Sequence, residues 1–550
     1  MWFHATLSTG EAEFQLQLIR LSVHGMSSSV NIAIGQGGLQ VCDAMLSVVR
    51  RAELARDGGA SGKKRGRSRK RQGPEATPMP APPEFTLGTS RRALYRRNGS
   101  SGAAARTVFA DTEPRVVQEF LRDPRRDWVT TANTICEHAG RGNNWAEGYL
   151  GSADFVTKTM EGIRREVEAC DWFRSAYMYH SLGGGTGSGS GSRVLQEMRD
   201  LYPRCCLGSV SIAPSASCES PVFTYNTMLA LWQLQQHSDA IMLFTNDDLE
   251  ARAAQSQQFL TNRDHAKRGI ASKASPDGDG NGHAHAREGT DGSLSALAGT
   301  AKGLGMVQKD MTFAVEDLNT QAALAMCGLV YPMTGSLSPS VDVGGSIRGM
   351  RSEGLANVVA EVAPVPDLKY VDVRSSYFCL PSEKAWRHRD VQGPATGDSW
   401  ARAAKLLMRR TPRFDNENKP IVTFSSQIVL RGSSHGTHAP WSPKISRRVF
   451  AYGNPASWSL FCDARIRRSN VDALGTRSIT CVANRSHVAS VLRRLHNKAG
   501  AMYSAGAWVH WYEQAGLEKS EWLESFANAQ KVVEAYSAAM QPGARGQNRT

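Results

Sequence analysis

Apolar positions along the chain fall into short runs that end at glycine, and their period changes from run to run. Val30-Asn31-Ile32-Ala33-Ile34 reads as a short apolar strand that stops at Gly35-Gln36-Gly37-Gly38. From Leu39 to about Arg51 the period lengthens, and Val41, Ala44, Met45, Val48 and Val49 share one face of a predicted helix. Thr107–Ala110 predicts a second strand, ending in Asp111-Thr112-Glu113-Pro114. Ala176–Leu182 predicts a third, followed by Gly183–Gly189 and a helix over Val194–Asp200. Strand, glycine turn and helix in that order open a nucleotide-binding α/β unit.

The loops between these runs carry the candidate chemistry. Gly35-Gln36-Gly37-Gly38 alone is short of a dinucleotide fingerprint. The run Gly183-Gly184-Gly185-Thr186-Gly187-Ser188-Gly189 is more specific, because glycines let backbone N–H groups close around anionic oxygens and the next helix adds its N-terminus. It lacks the lysine of a P-loop, so that class of nucleotidase is excluded. Asp111 and Glu113, one residue apart at the C-terminal end of a strand, suit Mg²⁺ and its waters. They also suit the first turn of a helix opened by Pro114, and the two readings are compatible.

Composition adds a question about charge. The 550 residues hold 65 Lys and Arg against 51 Asp and Glu, a net charge of +14; 41% are hydrophobic and 21% charged, which excludes wholesale disorder. The length predicts two to four domains, or one large α/β unit with additions. The window 51–106 holds 14 cations and four carboxylates, so +10 of the +14 sits there, seven of the cations in Lys63–Arg71. With Pro74, Pro78, Pro80, Pro82 and Pro83 and no apolar period, it reads as a disordered basic loop. A nuclear localisation signal, a polyanion contact and a solvated loop all remain open for its nine-residue core. A second low-complexity insertion spans about 262–303, where Asp277, Asp279 and Asn281 start like a calcium loop but no Glu stands at the twelfth position. No apolar run approaches the roughly 18 residues of a membrane span. Residues 1–25 do not read as a secretory signal, and the ten cysteines are scattered, as expected of buried thiols in a reducing compartment.

The same residues resemble the tubulin superfamily. Gly35–Gly38, Asp111–Pro114, Gly142-Asn143-Asn144-Trp145-Ala146, Gly183–Gly189, Tyr225-Asn226, Asn246-Asp247, Asp317-Leu318-Asn319, Val365-Pro366 and His510-Trp511-Tyr512 occur in the family's order. The resemblance covers about 30–260 and 304–540. Glu219, Gln427–Arg431 and Val362-Ala363-Pro364 look most like delta-tubulin, with zeta- and epsilon-tubulin as near alternatives. It implies a tubulin-type α/β fold: an extension over 1–29, a GTP-binding domain over 30–310 with a Rossmann-like parallel sheet and both insertions, an α+β intermediate domain with its connecting helix over 311–480, and C-terminal helices with a short non-acidic tail over 481–550. It further implies GTP and Mg²⁺ as ligands. Gly35, Gln36 and Gly37 would meet phosphates and magnesium, with Asp111 and Glu113 flanking the metal. Asn143 would support the phosphates, and Ser181 with Gly183, Gly184, Gly185, Thr186, Gly187, Ser188 and Gly189 would form their cradle. Glu219 would contact ribose, and Asn246 and Asn319 would read the guanine edge.

Departures from the family narrow what is expected. Val315 stands where most tubulins stack an aromatic on guanine, with Phe313 two residues away, and Phe223 stands where a ribose-side carboxylate is expected. Where the family supplies a carboxylate to the next subunit's GTP, this chain has Asn357, an amide that cannot act as a base. GTP binding is therefore expected more firmly than GTP hydrolysis. Met540–Thr550 holds Arg545 and Arg549 and no acid, unlike the acidic tail of an ordinary microtubule-wall subunit. The resemblance thus implies a structural protein of the microtubule cytoskeleton, acting at the basal body, centriole and flagellum, with other tubulins or microtubule ends as partners and neither membrane nor nucleic acid. An active GTPase subunit, a pseudo-GTPase scaffold and a nucleic-acid binder are the competing readings.

Overall fold

The computed structural model describes residues 27–61, 94–98, 102–124, 126–170, 172–217, 220–255, 315–330, 354–377, 398–431, 445, 448, 449, 453–456, 465–469 and 478–541. Residues 1–26, the basic run 63–71, the 262–303 insertion, the tail beyond 541, Glu219, Phe313 and the side chain of Val315 lie outside the described residues, while 27–29, expected to close the N-terminal extension, already belong to the first strand.

The first half builds a parallel sheet. Strand β1 (Ser27–Ile34) leads into helix α1 (Gly35–Ser61); a hairpin of β2 (Tyr95–Asn98) and β3 (Gly102–Ala105) precedes β4 (Thr107–Asp111), α2 (Pro114–Arg122) and β5 (Thr134–Cys136). Helices α3 (Trp145–Leu150) and α4 (Ala153–Glu168) follow, then β6 (Trp172–Ser181), a wide helical turn over Thr186–Ser190, α5 (Gly191–Leu201), β7 (Cys206–Ala213), α6 (Pro221–His237) and β8 (Ala240–Thr245). The second half comprises α7 (Val315–Val330), α8 (Leu355–Glu361), β9 (Tyr370–Tyr377), α9 (Asp398–Arg409), β10 (Thr423–Arg431), β11 (Arg465–Ser469) and β12 (Ser478–Arg485). Helices α10 (His487–Ser504), α11 (Val509–Gln514) and α12 (Lys519–Ala539) close the described chain.

Ten of the described strands form one sheet in the order β11-β10-β12-β9-β8-β7-β6-β1-β4-β5, and β2 and β3 pair apart from it. From β5 to β9 all neighbours are parallel; β12 is antiparallel to both β9 and β10. The expected domain division at 480/481 falls inside β12. Alternation along β1 explains the layering. Val30, Ile32 and Ile34 enter a core with α4, α5, α6 and the C-terminal helices, while Ala33 faces a second core with α1, α7 and α8. Both faces of the parallel half are thus covered, which is why its strands read as nearly continuous apolar runs.

Two expectations fail at the edges of the basic window. The helix does not stop at Arg51 but runs to Ser61, because Ala52, Glu53, Leu54, Ala55 and Arg56 are good helix formers. At the other end, residues 95–98 pair antiparallel with 102–105, so these described residues are not a disordered loop. The Tyr95 hydroxyl donates to the Leu46 carbonyl at 3.3 Å, Arg96 donates to both oxygens of buried Glu166, and Arg106 donates to the Ala169 carbonyl at 2.8 Å. Part of the charge counted as solvated is therefore structural.

Candidate nucleotide site

Strand β1 lies between β4 and β6, and the chain continues outward from it first through β4 and β5 and then through β6, β7 and β8. The order reverses at β1, and in parallel α/β sheets the crevice at such a switch point, beyond the carboxyl ends of the strands, is where ligands bind. Most phosphate-side residues expected from the sequence sit at that edge: Gly35–Gly37 after β1, Asp111 and Glu113 at the end of β4, and Ser181 with 183–189 at the end of β6, while Asn143 comes from the segment before α3.

Close backbone approach decides where glycine is needed. Gly35 has φ +71°, and a Cβ there would lie 2.9 Å from the Gly187 nitrogen. On the far side of the run, a Cβ at Gly189 would lie 2.2 Å from the Trp145 carbonyl oxygen, and one at Gly148 2.3 Å from the Gly185 carbonyl oxygen. No residue from 183 to 189 has a positive φ. The glycines expected to open backbone N–H groups to anions lead into the helical turn that starts α5, and they also serve packing against α1 and α3. At Gly184 an added Cβ would meet only Asn143 Oδ1, at 3.7 Å, so that face of the run is open.

Asp111 is 2% exposed; its Oδ1 accepts the Glu113 amide at 3.3 Å, and its Oδ2 is buried without a hydrogen-bond partner. Burial pushes its pKa up to about 6, against the pull of the Glu113 and Thr112 backbone amides. Glu113 is exposed at the N-cap of α2 and makes no capping hydrogen bond, so its carboxylate is available above the helix end that Pro114 opens. Thr112 and Thr186 join the two loops, their hydroxyl oxygens 2.6 Å apart. Behind the run, His180 is fully buried; its Nδ1 lies 2.8 Å from the Gly187 carbonyl and its Nε2 2.8 Å from Ser211 Oγ. A carbonyl only accepts, so Nδ1 carries the proton, and burial lowers the pKa of this neutral ring to about 4.

Gln36 is exposed on the first turn of α1. Asn143 is also exposed and has φ 56° beside Gly142 at 54°, a left-handed pair that asparagine and glycine tolerate. Asn319, on α7, donates to Gln40 Oε1 at 3.1 Å and so reaches α1 one turn beyond the Gly35 turn. Asn246 directly follows β8, two strands from β6 on the same edge. Phe223 packs beside Gly183, where an added Cβ would sit 3.4 Å from its ring.

The residue that binds the loops together was not among the sequence candidates. Asn226 of α6 is fully buried; its Nδ2 donates to the Asn143 carbonyl at 2.7 Å and the Gly183 carbonyl at 2.6 Å, and its Oδ1 accepts the Trp145 amide at 2.9 Å and the Tyr512 hydroxyl at 2.7 Å. These partners lie 43 to 286 residues away in sequence, beyond the reach of a local pattern. Only its place in the Tyr225-Asn226 motif hinted at it.

The fit to magnesium and a nucleotide follows from these atoms. A buried carboxylate oxygen with no partner wants a cation or a proton, and three helix N-termini face one crevice. Among the described residues no cluster of three His, Cys, Asp or Glu could hold a metal ion.

Comparisons with known proteins agree with this geometry. Residues 28–253 match the family model "Tubulin/FtsZ family, GTPase domain". A tubulin beta chain of Pneumocystis carinii is 22% identical over 453 residues, 82% of this chain and 86% of that one. Over a shorter span, a tubulin beta chain of Porphyra purpurea is 34% identical across 166 residues, 30% of this chain and 36% of its own. A tubulin beta-1 chain of Colletotrichum graminicola is 36% identical across 146 residues, 26% and 33% of the two chains. Residues 28–253 thus match the Tubulin/FtsZ-family GTPase domain, and about four fifths of the chain is similar to beta-tubulins at 22% identity.

Proposed function

We propose that the chain is a GTP-binding structural subunit of the tubulin cytoskeleton, delta-like in kind, that assembles with other tubulins or microtubule ends at basal bodies, centrioles and flagella. The observation that carries the nucleotide part is the meeting of Gly35 and Thr112 with the 183–189 run at the strand edge where β4 ends in Asp111, whose buried Oδ2 has no hydrogen-bond partner. Asp111 and Glu113, with Gln36, would hold a hydrated Mg²⁺; the amides of 35–37 and 183–189, backed by Asn143, would take the phosphates. Asn246 and Asn319 would orient the guanine edge by donating and accepting at once. Bound magnesium would supply charge neutralisation to the phosphates.

The delta-like assignment, and with it the basal-body role, rests on Glu219, Gln427–Arg431 and Val362-Ala363-Pro364. Neither membrane nor nucleic acid belongs to this reading. Asn357 on α8 sets the expected turnover: its Nδ2 is buried without a hydrogen-bond partner, and an amide cannot take a proton from water. A copy presenting that face to a neighbour's nucleotide would leave it intact, so we read the chain as a holder of GTP.

Titration of a fluorescent GTP analogue into the full chain tests this. Binding that needs Mg²⁺ and is displaced by GTP but not ATP is expected. Equal displacement by ATP would overturn the guanine assignment, and indifference to Mg²⁺ would overturn the role of Asp111 and Glu113.

A further inference from the structure

The four hydrogen bonds of Asn226 use its whole capacity: two amide protons and two lone pairs, each with a partner at 2.6–2.9 Å. Its orientation is fixed by them, since a flipped amide would set NH₂ against the Trp145 N–H and oxygen against two carbonyls. Two of the partners, the Asn143 and Gly183 carbonyls, hold the two loops that would flank a phosphate chain. The fourth comes from the far end of the sequence, the hydroxyl of fully buried Tyr512 on α11; its single proton has Asn226 Oδ1 at 2.7 Å as its nearer acceptor and the Val222 carbonyl of the same helix α6 at 3.1 Å. A second link joins the same regions: Asn144 Nδ2 donates to the Trp511 carbonyl at 3.1 Å, while Asn144 Oδ1 caps α3 through the Ala146 amide at 2.9 Å.

We infer that Asn226 is a positioning residue for the phosphate loops and that Tyr512 holds it in place, so that the C-terminal helices set the geometry of the nucleotide site. The inference rests on the nucleotide reading above for its consequence, and on the hydrogen bonds alone for the positioning itself. Because Asn226 lies on α6, which also packs against α10 and α12, whatever displaces α11 releases one lone pair of Asn226 and loosens the grip on Gly183. By linkage, a ligand that seats the loops favours the docked position of α11.

Tyr225 supplies the internal control. Its hydroxyl donates to the Ala507 carbonyl at 2.9 Å, joining α6 to the same C-terminal segment without touching Asn226 or either loop. Tyr512→Phe and Tyr225→Phe each remove one buried hydroxyl and keep the ring, so both lower stability to unfolding.

The experiment is hydrogen exchange over 183–190 in the nucleotide-free full chain, followed by GTP titration. Tyr512→Phe is expected to speed exchange in that segment and to weaken GTP binding about three- to tenfold, the worth of one net hydrogen bond; Tyr225→Phe is expected to leave both unchanged. Unchanged exchange in Tyr512→Phe, or equally faster exchange in Tyr225→Phe, overturns the inference. If the wild-type chain binds no GTP, the nucleotide reading falls, while the exchange comparison still decides whether Asn226 is positioned by Tyr512.

Discussion

The Gly35 backbone lies against Gly187, so close that a Cβ on Gly35 would sit 2.9 Å from the Gly187 nitrogen, and Gly35 holds φ +71°. The turn after β1 and the helical turn after β6 are thereby locked as one surface. Gly35→Ala incurs both a left-handed backbone and a backbone clash, and is expected to cost about 2–4 kcal/mol and to abolish nucleotide binding. Gly354 offers a contrast, with φ +101° and nothing within 4 Å of an added Cβ. Gly354→Ala should cost only backbone strain, about 1–2 kcal/mol, and leave binding intact. Urea unfolding and GTP titration of both variants check this.

Asp111 should be costly to the empty protein. Its folded pKa, about 6, lies above its ordinary value, so the protonated form suits the fold; the contribution of this one group to stability is fully present below about pH 4 and is lost as pH rises through 6. Above pH 7 the deficit is at most about 3 kcal/mol. In nucleotide-free protein Asp111→Asn should therefore raise the unfolding midpoint at pH 7.5 while removing the Mg²⁺ dependence of GTP binding. Thermal unfolding read beside the titration gives both signs at once.

His180 gives the opposite slope. Its folded pKa, about 4, lies below the ordinary value of a histidine, so its contribution is fully present above about pH 6.5 and is lost as pH falls through 4. The loss is at most about 3 kcal/mol. Comparing His180→Gln with the parent chain by urea unfolding at pH 7, 6 and 5 should show a flatter profile for the variant.

A buried ion network ties the two halves of the sheet together. Asp372 accepts from Arg374 Nε at 2.8 Å, Arg485 Nη1 at 3.2 Å and Arg252 Nη2 at 3.4 Å, and Arg374 also donates to Asp248 at 3.0 Å. Burial alone would raise the Asp372 pKa, but the cations, Arg374 first, hold it well below the carboxylate range. Asp372→Asn strands those guanidinium groups and is expected to cost about 3–5 kcal/mol. Glu119→Gln, which breaks the exposed pair of Arg115 and Glu119, should leave the unfolding midpoint within experimental error.

Hydrolysis should be limited by one atom type. Asn357→Glu introduces a carboxylate at the position where the family supplies one, and concentrated protein should gain GTP turnover over the parent chain. No gain at concentrations where the protein self-associates would place the barrier elsewhere than residue 357.

The phosphate side of the site was legible because each piece is local: a strand, then glycine, then helix at Gly35, and the same at Gly183. Asp111 was legible for the same reason, standing at the end of a short apolar run. The pairing of 95–98 with 102–105 was hidden because β2 carries Arg96 and Arg97 and, among the described residues, the two strands pair with each other outside the main sheet, so charge masked the pattern. The role of the 183–189 glycines was half read: open backbone was foreseen, but their packing against Gly148 and Trp145 depends on a helix some 40 residues earlier in sequence. Asn226 was illegible for a like reason, since a buried amide looks like any other polar residue in a helix until its four partners are assembled.

The most direct test is identification of the nucleotide carried by the purified full-length chain, released by denaturation and separated by chromatography, for the wild type and Asp111→Ala. The account predicts near-stoichiometric guanine nucleotide from the wild type and little from the variant. A wild-type chain without guanine nucleotide, or an Asp111→Ala chain that retains it in full, would contradict the account.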